Sequence, residues 1–175
     1  MTEQISYFEH LQELLQKVSF ASQLLAATPE KPFEQLLVLL TGEENKTDRK
    51  PLVVTLSFLQ DVLELEDALD EQEQSVVLQY SILFFLAPPK ASVFEFSYFL
   101  AKLNHMIPIG SFVLGEDEQI FYRYQYMSET RDVSPVIVVD TLNIIEHIAQ
   151  TLEPEFIAYL AGEKTCNAIL SQFQN

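Results

Sequence analysis

Residues 120–127 alternate in a way that only an extended chain can use. Ile120, Tyr122, Tyr124 and Tyr126 fall on one side, and Phe121, Arg123, Gln125 and Met127 on the other. A two-residue period carried by aromatic and β-branched side chains marks a half-buried strand. A shorter run before it places Phe112 and Leu114 on one face, with Ser111 and Val113 opposite. Gly115-Glu116-Asp117-Glu118 lies between the two runs. There Gly115 is expected to take a positive φ and Asp117 to tolerate turn geometry. Residues 109–127 are therefore predicted to form a β-hairpin. Its tyrosines have two readings. They cover a core with wet hydroxyl tips, or they form a recognition face, since tyrosine is enriched where an apolar body keeps a polar handle. Tyr122, Tyr124 and Tyr126 are accordingly the candidate protein-binding face, with Arg123 on the opposite side.

The rest of the chain supplies elements on either side. Residues 3–27 carry Ile5, Phe8, Leu11, Leu15 and Val18 at helical spacing and read as one amphipathic helix, stopped by Pro29 and Pro32. Residues 33–40 form a short apolar run, expected to be a strand buried on both faces. After a polar turn, residues 51–58 read as a strand with Leu52, Val54, Leu56 and Phe58 on one face. The acidic stretch 59–74 reads as a short helical or irregular connection; it has no glycine and so does not match a calcium loop. Residues 75–86 read as a third strand, with Val76, Leu78, Tyr80, Ile82, Phe84 and Leu86 facing the core. Ser92-Val93-Phe94-Glu95 matches the capping-box spacing and is expected to start a helix that ends near Met106. A long helix follows the hairpin and starts either at Ser134-Pro135 or at Asp140, with Pro154 as a kink or a new start and Gly162 as its terminator. Residues 163–173 read as a last short helix. The expected order is helix, three strands, helix, two strands, long helix. This is an α+β domain over residues 1–175, with a mainly antiparallel sheet, helices on one side and residues 161–175 as a helical extension.

Composition narrows the chemistry. With 26 acids against 10 bases, the formal net charge is −16. Such a surface repels nucleic acid and anionic membranes, so neither is an expected partner. The single cysteine, Cys166, rules out an intrachain disulfide and a four-cysteine zinc site, and reads as a small buried hydrophobe. No secretory signal is read at the N-terminus, and no apolar run reaches the ~18 residues of a membrane span, so a cytoplasmic protein is expected. The glycines, Gly42, Gly110, Gly115 and Gly162, are too scattered to cradle a phosphate. His10, His105 and His147 have no histidine or cysteine at metal-binding spacing. Cys166, His147 and Asp140 can be drawn together as nucleophile, base and orienting acid, but their spacing matches no motif. No cofactor, metal or catalytic residue is expected, and the chain reads as a non-enzyme.

The element order resembles type III secretion chaperones and the related YbjN-like bacterial proteins. The pieces that carry the resemblance are residues 51–63, residues 75–80, and the passage from Leu103-Asn104 through Gly110-Ser111-Phe112 and Glu116-Asp117 into Phe121-Tyr122-Arg123-Tyr124. It implies a small cytoplasmic protein without catalytic residues, typically a homodimer, that holds an extended segment of a partner protein along its sheet and helices. The chain departs from that pattern in its acidic stretch 59–74 and its C-terminal extension. The leading expectation is a chaperone-like or adaptor module that binds a protein or peptide segment. The alternatives are a YbjN-like regulator and an enzyme whose site is assembled from distant residues.

Overall fold

The computed structural model describes residues 6–40, 51–63 and 75–173. Its centre is a fully antiparallel six-stranded sheet. The strands are β1 (Ser22–Leu25), β2 (Gln35–Leu39), β3 (Val53–Phe58), β4 (Val76–Phe84), β5 (Ser111–Leu114) and β6 (Ile120–Ser128), in the spatial order β1-β2-β3-β4-β6-β5. The helices are α1 (Tyr7–Lys17), α2 (Leu59–Val62), α3 (Val93–Leu103), α4 (Pro135–Leu160) and α5 (Cys166–Leu170). The fold is α+β, in broadly the order expected.

One face of the sheet carries the core. The alternation in β3, β4 and β6 places Val54, Leu56, Phe58, Leu78, Tyr80, Ile82, Phe84, Ile120 and Tyr122 there, all buried. Helix α1 adds Phe8, Leu11 and Leu15, and α3 adds Phe96, Phe99, Leu100 and Leu103. Helix α4 lays Val138, Leu142, Ile145, Ala149, Leu152 and Phe156 over the same face. The Phe156 ring meets Phe84, Phe96, Phe99 and Phe112 at 6.0, 5.9, 6.2 and 5.1 Å between centroids. Edge-to-face aromatic packing of this kind contributes about 0.5–1.5 kcal/mol per pair beyond area burial.

Four expectations are corrected. The helix predicted over residues 3–27 is shorter, and its second half is a strand, β1. The helix ends because Ser19 takes a left-handed φ of 71°. The Ser19 N–H then donates to the Gln16 carbonyl at 3.2 Å and the Phe20 N–H to the Leu15 carbonyl at 3.0 Å. This is a Schellman closure with serine where glycine is usual, and buried Phe20 completes it. Strand β2 is buried on one face only, through Leu36 and Val38, while Gln35, Leu37 and Leu39 are half-buried. The capping box expected at Ser92 does not form. The Pro88-Pro89 pair leads into a tight 3-10 turn, and the Ser92 hydroxyl turns back to donate to the Pro89 carbonyl at 3.0 Å. The same Ser-x-x-Glu spacing forms a true capping box at α1: Glu9 N–H donates to Ser6 Oγ, and Ser6 N–H donates to Glu9 Oε2 at 2.8 Å. Gly115 has no left-handed φ; Glu118 takes it instead, at 62°. Glycine is needed at Gly115 because a Cβ would stand 2.6 Å from the Phe121 ring.

Of the two starts weighed for the long helix, the first is found: α4 begins at Pro135 and passes through Pro154 without ending. It closes at Gly162, φ 74°, with the Glu163 N–H donating to the Ala158 carbonyl at 2.8 Å. The polar turn 41–50 and most of the acidic stretch lie outside the described residues; of the latter, α2 is the part described.

Two backbone positions test this account. Ser19→Gly should stabilise by up to about 1 kcal/mol, since it removes the left-handed penalty. Gly110→Ala should destabilise by roughly 3 kcal/mol or more. There φ is +69° and a Cβ would meet Tyr122 Oη at 2.3 Å and the Arg123 carbonyl at 2.8 Å. Urea denaturation at equal m-value measures both.

Candidate functional site

The tyrosines of the hairpin face the helices. Tyr122 is 1% exposed and its hydroxyl donates to the Ile109 carbonyl at 3.0 Å, so this member of the candidate binding face is core and presents nothing to a partner. Tyr124 and Tyr126 are half-buried and pack on the core. Tyr124 rests its ring 5.7 Å from that of Tyr80. Tyr80 is fully buried, and its hydroxyl lies against Thr141 without a hydrogen bond of ordinary geometry. Burial raises the phenol pKa values of Tyr7, Tyr80 and Tyr122 well above the ordinary value, and Asp132 adds to the effect at Tyr7.

The opposite face of the sheet is half-buried to exposed along most of its length, with Ser57 buried at the end where α2 meets β3 and β4. Its register lines up apolar side chains, Leu39 opposite Val53 and Leu83 opposite Phe121, which stands opposite Val113; Val53 and Leu83 lie one step beyond the last β3–β4 pair, Val54 with Ile82. A parallel row runs Leu37, Thr55, Ser81, Arg123, Ser111, and a third holds Ser57, Gln79 and Gln125, the two glutamines bonded at 3.1 Å. Val77 and Met127 close the end, and Phe85 follows the apolar row with 58% of its surface exposed. No Asp or Glu lies on this face in any of the six strands, and Arg123 is its single charge. In a chain with 26 acids, that depletion is the clearest feature of the surface.

The edge of the sheet on the β5 side has two parts. On the outer side of β5, the Asn104 amide takes the place of a further strand. Its Nδ2 donates to the Phe112 carbonyl at 2.9 Å, and Phe112 N–H donates to its Oδ1 at 2.8 Å. Strand β5 pairs only with residues 120–123 of β6, so 124–128 have no strand beyond them among the described residues. Backbone donors and acceptors on such an edge accept an extended chain.

A cleft of about 680 Å³ opens where α1, the β1–β2 connection, the end of β3 and α2 meet. Tyr7, Phe33 and Phe58 give it aromatic walls, and Glu34, Asp61 and Arg131 line it. The Arg131 guanidinium bonds both oxygens of Asp61, Nη1 at 2.8 Å from Oδ2 and Nη2 to Oδ1. It also lies 4.9 Å above the Phe58 ring. The Tyr7 hydroxyl donates to the Val133 carbonyl at 3.0 Å and so ties α1 to the chain entering α4. Sequence reasoning missed this site because its walls come from five separate segments; an arginine between acids was the only local trace.

The residues considered for catalysis are not assembled. His10, His105, His147 and Asp140 are exposed. Cys166 is half-buried beside Tyr159, with Glu95 and Lys102 as the charges that reach it. Burial raises its thiol pKa, and burial with the neighbouring Cys166 pushes Tyr159 up to about 12. Among the described residues, no group of three His, Cys, Asp or Glu side chains is placed to hold a metal ion. No helix among them is long and apolar enough to cross a membrane. Comparison of the sequence with protein-family models finds no match, and comparison with curated proteins finds none either.

The tyrosines yield a signed prediction. Tyr80→Phe removes an unpartnered buried hydroxyl and should leave stability unchanged or slightly higher, whereas Tyr122→Phe loses a bond and should cost about 1 kcal/mol. Raised phenol pKa values mean that the folded chain keeps protons the unfolded chain gives up. Their stabilisation is whole below about pH 10 and is lost as pH rises beyond it. Urea midpoints at pH 9 and pH 11 should show that loss, and Tyr122→Phe should shrink it.

Proposed function

We propose that the chain is a non-enzymatic protein-binding module, a chaperone-like or adaptor protein that holds a segment of a partner polypeptide on the open face of its sheet. The carboxylate-free face carries this reading. Interface cores are depleted of charge, and an apolar row left facing water is unfavourable at about 25 cal/mol per Å². On a surface with net charge −16, a face without acids is also where another protein can approach without burying carboxylates. The unpaired edge of β6 lies beside this face and gives an extended segment backbone partners. The element order fits the chaperone-like resemblance, which implies the same role.

Two exposed positions on the face test the proposal: Val113, 38% exposed, and Met127, 69% exposed. Val113→Glu and Met127→Glu each place a carboxylate there without disturbing the core. Both should lower capture of the native partner by tenfold or more while shifting Tm by no more than about 3 °C. Capture equal to that of the unaltered protein would remove the open face from the account.

A further inference from the structure

The cleft beside α1 already contains a cation, and it belongs to the chain itself. Arg131 lays its guanidinium over the Phe58 ring, and Asp61 grips its edge through both oxygens. A planar cation held over an aromatic ring and gripped at its edge by both oxygens of a carboxylate is how a guanidinium is recognised; a lysine ammonium meets the same groups as a point charge, without the planar, two-pronged match. The cleft exceeds what one such group fills, since ligand pockets run from about 300 to 1,000 Å³ and this one has about 680 Å³. Its remaining walls repeat the same chemistry, with the Tyr7 and Phe33 rings and the Glu34 carboxylate. Among the described residues of the lining, Glu34 and Asp61 outnumber Arg131, and the Asp132 carboxylate is close enough to act on the Tyr7 phenol.

We propose that this cleft receives an arginine side chain of the partner segment, and that Arg131 fills the guanidinium position until the partner's arginine displaces it. The inference rests on the protein-binding reading and names one side chain such a partner presents. The chain's net charge of −16 favours a basic segment and speeds its approach. Arg131 then acts as an internal competitor. It keeps the Asp61 carboxylate and the Phe58 face engaged in the free protein and sets the affinity that a partner must exceed.

The test uses the whole chain and N-acetyl-arginine methylamide, with the citrulline analogue as the neutral isostere, followed by NMR shifts. The arginine derivative should bind with an affinity on the order of millimolar. Its shifts should centre on Tyr7, Phe33, Phe58 and Asp61, and the citrulline derivative should leave these signals unmoved. Arg131→Gln should tighten binding about tenfold and Asp61→Asn should weaken it about tenfold. Equal binding of citrulline, shifts centred elsewhere, or unchanged affinity in a folded Arg131→Gln protein would overturn the proposal. Should that variant not fold, the contrast between arginine and citrulline on the unaltered protein decides alone. Val113→Glu leaves the cleft intact, so failure of arginine binding and failure of the open face are read separately.

Discussion

The pairing of β4 with β6 holds the molecule together. All nine residues of β4 stand opposite β6, from Val76 against Ser128 to Phe84 against Ile120. The two strands are distant in sequence, and α3 with β5 fills the interval between them. Their pairing fixes which side chains point inward. A slip of β4 by one residue against β6 would send Tyr80, Ile82 and Phe84 to the open side and bring Gln79 and Ser81 into the core. That register also places Phe84 and Phe112 where Phe156 closes over them, so the long C-terminal helix depends on a strand alignment set elsewhere.

The same alternation produces the proposed binding surface. Each inward aromatic on β4 and β6 leaves an outward neighbour, and those neighbours line up into rows only because the register holds across five strands. The core face and the open face are therefore two readings of one pattern. Among the described residues the acids lie in helices and connections, and none lies in the strands. In a strongly acidic protein, a carboxylate-free, partly apolar face whose single strand charge is Arg123 is where the proposed partner meets the least like-charge repulsion and the most apolar surface. The cleft holding Arg131 lies near the end of β3, where connections converge, and brings opposite chemistry: aromatic walls with an excess of carboxylates.

Much of this was legible in the sequence wherever one period ran long enough to exclude others. The hairpin, β3, β4 and α3 were each written in five or more consecutive side chains. Strand β1 was not, because Leu24, Leu25, Ala26 and Ala27 continue a helical composition and the stop signal is Ser19, a residue that rarely takes the left-handed turn. The Ser92 cap fails to form for a related reason. The Ser-x-x-Glu spacing says what the side chains reach, but the proline turn before it had already set the Ser92 backbone at φ −111°, ψ 3°, and engaged its hydroxyl. The alternation puts the tyrosines on one face, but composition does not say which face is wet, and Tyr122 is in the core. The apolar row and the arginine cleft were out of reach because they exist only after separate segments have been brought together.

In the proposed complex another protein covers the open sheet face. Hydroxyl-radical footprinting of the protein with its native partner, against the protein alone, reads that coverage residue by residue. Protection is expected at Leu83, Phe121, Val113 and Met127, with Phe94 on α3 and Val136 on α4 remaining reactive. Protection of the helix positions with the open face still reactive would contradict the proposed coverage.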